Sequence, residues 1–182
     1  NVPRSECPDV KKIVICEGNA TDASLLSDWL GAGSAGFRTE QMQAGDPATL
    51  LYSSGTTGFP KGVTLTHNNT ITNIRTAVKC SRFRPGDRLA IFLPLFHVFA
   101  QNYIMNGAFQ TGSTLVLFRR FVPDIVLAGI TREYITMFFA VPTIFIALMN
   151  THAIEAALAS VRYWFSAAAA MPQEISRRWH ER

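Results

Sequence analysis

Between Leu50 and Lys61 the chain reads LLYSSGTTGFPK, a stretch that gathers hydroxyls, bare backbone and a cation in one turn. Ser53, Ser54, Thr56 and Thr57 supply four hydroxyls, and Lys61 adds a fixed positive charge. Gly55 and Gly58 let the backbone bend tightly and bring N–H groups close to a ligand. A polyphosphate needs these three kinds of group, because its charge must be balanced where bulk water is partly excluded. The loop is not a Walker A motif, which runs Gly-Lys-Ser/Thr straight into a helix; here Pro60 precedes Lys61 and Gly62 follows it. It also lacks the G-x-G-x-x-G spacing of the protein-kinase glycine loop. The flanks ATLLYS and GVTLTH are short, β-branched and apolar, which predicts two strands joined as a glycine-rich hairpin. A ligand-free surface hairpin is the competing reading for any mixture of Ser, Thr and Gly. The order of hydroxyls, glycines, proline and lysine weighs against it.

Two further segments carry candidate chemistry. His97 follows Pro94 in LPLFHVF, flanked by Phe96 and Phe99. A lone histidine in an apolar run is more often a satisfied core residue than a functional one. Ser166 opens the run Ser-Ala-Ala-Ala-Ala-Met-Pro, whose small side chains would let backbone approach a ligand; an ordinary helix start is the alternative.

Together these segments resemble the adenylate-forming enzymes: acyl- and aryl-CoA synthetases, peptide-synthetase adenylation domains and firefly-type luciferases. SSGTTGFPKG looks like their signature phosphate loop and matches without a departure from Leu50 to Lys61. Leu93 to His97 resembles the motif that places an aromatic and a histidine beside the acid substrate. Arg120-Phe121 followed by Thr136 to Thr143 is similar to the strand leading into a Val-Pro-Thr helix start. Ser166 to Pro172 resembles the Ser-Gly-Ala-Ala-Pro-Leu-Pro loop, with Ala167 standing for glycine and Ala170 for proline. The likeness runs from about Asp46 almost to the C-terminus.

The resemblance implies an α/β fold, the partial N-terminal domain of such an enzyme, with a mostly parallel sheet flanked by helices and a phosphate-loop hairpin. It implies that residues 1–45 are the end of a preceding subdomain plus a flexible connection, and 46–182 a central AMP-binding subdomain. The family's Tyr-Gly-x-Thr-Glu motif, its ribose-binding aspartate and its C-terminal domain with the catalytic lysine have no counterpart in these residues. The expectation is therefore a slice of a larger protein, inactive alone, whose partner is the remainder of its own chain. ATP and a small carboxylic acid are the implied substrates, Mg2+ the implied metal, and coenzyme A the implied acceptor. Ser53, Ser54, Gly55, Thr56, Thr57, Gly58 and Lys61 would hold the phosphates, with Thr56 or Thr57 serving the metal indirectly. Phe96, His97, Phe99, Ser166, Ala167, Ala168 and Ala169 would line the acid pocket, His97 by positioning. Amino-acid-activating members carry an aspartate after the aromatic–histidine motif, and His97 to Asn102 holds no carboxylate. An apolar acid is expected, a fatty acid first, with an aryl acid or carrier-protein loading as the alternative. An ATP-binding module without turnover, or a purely structural domain, are the readings of a different class.

Composition agrees with a piece of an α/β enzyme. The 182 residues suffice for one domain with a core, and 48% hydrophobic against 16% charged residues is on the apolar side of globular proteins. A net charge of +4 with no long basic run argues against nucleic acid as a partner. Three cysteines without paired spacing argue against a disulfide framework or a zinc site and for a reducing compartment, the cytoplasm. The apolar stretches at 89–100 and 134–149 are broken by proline and fall short of the roughly twenty residues of a spanning helix, so membrane contact is at most peripheral.

The elements that must position these residues alternate in type. Strands are predicted at Val10 to Cys16, Leu89 to Leu93, Ser113 to Phe118, Tyr134 to Ala140 and Val161 to Phe165. Helices are predicted over Ala23 to Leu30, from Asn68 or Asn69 as cap to about Cys80 with Ile71, Ile74 and Val78 on one face, and after Pro123, Pro142 and Pro172. Such alternation argues for a parallel sheet whose ligands gather where strands turn into helices.

Overall fold

The computed structural model describes residues 9, 14–16, 18, 23–31, 33, 36, 38–55, 58–151 and 154–181. The chain divides into two compact units, residues 1–41 and 42–182. In the first, β1 (Val14–Ile15) pairs in parallel with β2 (Ser24–Leu25), and α1 (Leu26–Gly31) follows. The helix expected from Ala23 starts at Leu26, because Ser24 and Leu25 are drawn into pairing with Val14 and Ile15. Residues 10–13 of the strand expected there lie outside the described residues.

The second unit opens with an antiparallel hairpin, β3 (Pro47–Ser53) and β4 (Lys61–Thr66), in a register that sets Ser53 opposite Lys61. The chain passes directly from β4 into α2 (His67–Cys80). Its cap is Thr66, not Asn68 or Asn69 as the sequence suggested. Thr66 ends the strand in extended backbone, so its Oγ1 accepts the Asn69 N–H at 3.2 Å while Asn69 Oδ1 accepts the Thr66 N–H at 3.1 Å. This reciprocal capping box satisfies two donors that the first turn would otherwise leave bare. Ile74 and Ala77 face inward, whereas Ile71 is exposed.

Four parallel strands then form the sheet: β5 (Arg88–Ile91), β6 (Thr114–Leu117), β7 (Met137–Ala140) and β8 (Tyr163–Ser166), in the order β6-β5-β7-β8. Between β5 and β6 run a π-helix (Phe99–Met105) and α3 (Asn106–Thr111). The other connections carry α4 (Pro123–Arg132), α5 (Pro142–Met149) and α6 (Ile154–Ser160), and α7 (Gln173–His180) follows β8. The strands are shorter than their apolar runs, since residues such as Phe92, Leu93 and Thr136 lie just outside the ladder.

Parallel strands covered by helices on both faces are apolar throughout, and all four residues of β7 are buried. Successive side chains point to opposite faces. Phe138 therefore joins Val126, Ile130, Phe145 and Leu148 on one side, and Phe139 joins Phe83, Leu89, Ala100 and Ile104 on the other. No described helix is long and apolar enough to cross a membrane.

Candidate functional site

β5 lies at the middle of the sheet, and its C-terminal end delivers the chain to His97. Pro94 starts a turn closed by the His97 N–H on the Pro94 carbonyl at 3.0 Å. The Phe99 N–H then donates to His97 Nδ1 at 3.1 Å. Because Nδ1 accepts, the neutral ring carries its proton on Nε2, which makes His97 a donor on its exposed side. A carboxylate is the natural acceptor for such a group.

His97 shares a cleft of about 530 Å³ with Phe96, Val98, Tyr52, Ser53 and Ser54. The structure thus brings the first two hydroxyls of the loop and the histidine to one cavity, although Ser54 and His97 are 43 positions apart in the sequence. No carboxylate stands among the described residues that line it. Within the loop, Gly55 has φ +64° and Gly58 φ +84°. A Cβ on Gly55 would press into the Phe59 carbonyl oxygen and lie 3.7 Å from Lys61 Cγ. The tight return of the loop toward Lys61 therefore requires glycine at this position. Thr56 and Thr57 lie outside the described residues. Lys61 begins β4 beside the loop, with an exposed side chain. Among the described residues no group of three or more His, Cys, Asp or Glu could hold a metal ion.

The alanine loop sits at the C-terminal end of β8, on the same edge of the parallel sheet as the turn to His97. It is not a helix start. The Ala167 N–H extends the pairing to the Ala140 carbonyl at 3.1 Å, and Ala168 takes φ +67°. Ala168 and Ala169 are exposed. Ser166 points to the other face of the sheet, into a separate cleft of about 540 Å³ with Phe145, Trp164, Met171 and Trp179. Its Oγ is buried there without a hydrogen-bond partner. The structure thus unites Ser53, Ser54, Phe96 and His97 and leaves the Ser166 hydroxyl apart. The link between the two groups is Phe165, whose ring meets Phe99 at 6.2 Å.

Sequence reasoning missed the π-helix. It has no periodic template of its own, and π segments often mark functional sites. Its buried Asn102 donates to Asn73 Oδ1 at 2.9 Å and accepts from Asn106 Nδ2 at 3.2 Å, which ties it to α2 and α3. Two asparagines four apart in an apolar run were the available signal. Later in the π-helix, the Tyr103 hydroxyl lies 2.6 Å from Ser81 Oγ. Burial pushes the Tyr103 phenol above its ordinary value, and the Ser81 hydrogen bond opposes that shift only in part.

The AMP-binding enzyme family model matches residues 3–182. 4-Coumarate–CoA ligase 4 of Arabidopsis thaliana is 35% identical over 135 residues, covering 71% of this chain and 24% of the ligase. The crystal structure of ATP-bound MatB from Rhodopseudomonas palustris superposes with a TM-score of 0.81 at 29% identity, covering 88% of this chain and 32% of MatB. The inhibitor-bound N-terminal domain of FACL13 from Mycobacterium tuberculosis superposes with a TM-score of 0.77 at 27% identity, covering 88% of this chain and 41% of that domain. The chain spans about a quarter to two fifths of the length of these proteins.

Proposed function

Because the chain belongs to the AMP-binding enzyme family, we propose that it is the nucleotide-holding part of a longer acid–thiol ligase. That ligase activates an apolar carboxylic acid as its acyl-adenylate and passes the acyl group to coenzyme A. The observation that carries this reading is the single cleft in which Ser53 and Ser54 of the phosphate loop meet His97.

In the first half-reaction an oxygen of the carboxylate attacks the α-phosphorus of ATP. The bond from that phosphorus to the bridging oxygen breaks, and pyrophosphate leaves with the electron pair. The carboxylate needs no general base, since it is ionised at neutral pH. His97 Nε2–H orients it. Ser53, Ser54, Thr56, Thr57, the loop amides at Gly55 and Gly58, and Lys61 hold the phosphate oxygens as charge moves onto the leaving group. Each well-placed donor of this kind is worth about 3 kcal/mol in the transition state. In the second half-reaction the thiol of coenzyme A attacks the acyl carbonyl and AMP departs. Mg2+ would supply charge neutralisation on the nucleotide's own phosphates, with Thr56 or Thr57 serving it indirectly.

The fatty-acid version of this reading is supported by the aromatic residues beside His97 and by a His97 to Asn102 segment that holds no carboxylate. The aryl-acid version is supported by the likeness to 4-coumarate–CoA ligase. ATP–pyrophosphate exchange with a panel of fatty, aryl and amino acids tests the function, run on the full-length protein and on this segment. Exchange with an apolar acid is expected in the full-length protein, falling about a hundredfold in Lys61→Ala. ATP binding without exchange for any acid would identify a nucleotide-binding module instead. Binding unaffected by Lys61→Ala would point to a structural domain.

A further inference from the structure

Two backbone groups of the π-helix hold His97. The Phe99 N–H donates to its Nδ1 at 3.1 Å, and the Gln101 N–H to its carbonyl at 3.0 Å. His97 therefore goes where the π-helix goes. On the other side of the cleft, Ser53 is paired with Lys61 across the hairpin, and β4 runs into α2 without a linker. The base of the phosphate loop therefore goes where α2 goes. Among the described residues no hydrogen bond crosses the cleft from the hairpin to the turn at 94–98. The spacing of loop and histidine is set where α2 meets the π-helix.

An amide makes that meeting. Asn102 is 5% exposed, on a helix whose Ala100 and Ile104 are fully buried. Its Nδ2 donates to Asn73 Oδ1 of α2 at 2.9 Å, and its Oδ1 accepts from Nδ2 of Asn106, the first residue of α3, at 3.2 Å. An apolar side chain is cheaper to bury at such a place than an amide. Apolar contacts are non-directional, however, and would hold the helices together without fixing how they sit. Hydrogen bonds weaken steeply off line, so the amide fixes it. Asn73 lies in the half of α2 toward the hairpin, whereas the tie of Tyr103 to Ser81 is at the far cap.

We propose that Asn102 is a positioning residue for adenylate formation: its amide, bonded to Asn73, sets where His97 stands relative to the phosphate loop. This rests on the acid–thiol ligase reading and adds the device that aligns the carboxylate with the α-phosphorus. Asn102 is not among the residues that line the cleft. It acts through His97, so its loss costs turnover and spares ATP binding.

The test is pyrophosphate exchange by the full-length protein with hexanoate, dodecanoate, benzoate and 4-coumarate. Asn102→Leu keeps the size and suits apolar surroundings, so the urea midpoint should not fall. Its kcat/KM for the acid should fall about tenfold, within the range that a misplaced reacting group costs, and KM for ATP should stay within about twofold. Asn73→Ala, at an exposed position, should follow it, whereas Asn73→Asp keeps the acceptor and should keep the activity. In a His97→Ala background Asn102→Leu should cost less than about twofold, because the group it positions is gone. A tenfold loss that persists in that background would overturn the proposal and leave Asn102 a structural residue. Wild-type kinetics in folded Asn102→Leu would overturn it too. If Asn102→Leu does not fold, Asn73→Ala and Asn73→Asp decide in both backgrounds. Wild-type protein that exchanges with none of these acids would overturn the ligase reading itself and the proposal with it.

Discussion

Ala168 is an L-residue in the left-handed region, at φ +67°, in the exposed loop that ends β8. A side chain with a Cβ costs about 1–2 kcal/mol there, because the Cβ crowds the following carbonyl. Gly55 and Gly58 meet the same kind of demand without that cost. Ala168→Gly should therefore stabilise the folded chain by about 1 kcal/mol, less the greater entropy that glycine loses on folding. Urea denaturation checks this: the midpoint should rise with the slope unchanged. A midpoint that falls would mean that the methyl group is packed in a way that offsets its backbone strain. The strain lies in the segment that the family resemblance assigns to the acid pocket, the kind of place where strained backbone tends to concentrate.

At the scale of elements, α2 is joined to the hairpin without a linker, so its first turn and the base of β3–β4 stand or fall together. Thr66 is both the last residue of β4, opposite Pro47, and the cap of α2. Thr66→Ala should cost about 1 kcal/mol, and Thr66→Ser should restore most of it; thermal or urea unfolding reads both. This dual role explains why the sequence pointed elsewhere. Asn68 and Asn69 are good capping types, but the chain is still extended at Thr66, and Asn69 serves as the reciprocal partner three residues on. The hairpin was legible because β-branched flanks and glycines are local signals. The parallel sheet was legible because apolar runs alternate with proline-started helices. The π-helix was not, since its register departs from both periodic patterns. Neither was α6, whose IEAALAS holds no cap or proline to announce it. In the candidate site, the loop residues and His97 were legible by type and order, whereas the contact of Tyr103 with Ser81 was not. Ser81 and Phe165 are distant from Tyr103 in sequence and are brought to it by packing.

Three of the four strands of the parallel sheet are fastened at the end opposite the site by one carboxylate. Asp87 is 4% exposed, and it sits just before β5. Its oxygens accept from Arg162 Nη2 at 2.5 Å and Nε at 3.1 Å, from Thr136 Oγ1 at 2.8 Å and from the Arg84 N–H at 2.6 Å. Thr136 precedes β7 and Arg162 precedes β8, so a single group ties three strands together over 75 residues of sequence. No local pattern encodes such a contact. Burial alone would raise the Asp87 carboxyl, but the hydrogen bonds from Arg162, Thr136 and the Arg84 backbone, with the guanidinium charge, outweigh it and hold the group below its ordinary 3.8. A carboxylate depressed in the folded state adds stability above its unfolded value, and that stability is lost as pH falls through the folded value. Asp87→Asn removes the charge at every pH. At pH 7 it should cost about 2 kcal/mol, the scale of a hydrogen-bonded charge. The difference from wild type should stay level down to about pH 5 and shrink below pH 4, where the wild-type carboxyl takes up its proton. Urea unfolding of both proteins across that range measures it. A difference that instead grows with acidity would mean that Asp87 is protonated in the folded chain at neutral pH, and that hydrogen bonding to Arg162 without charge holds the strands together.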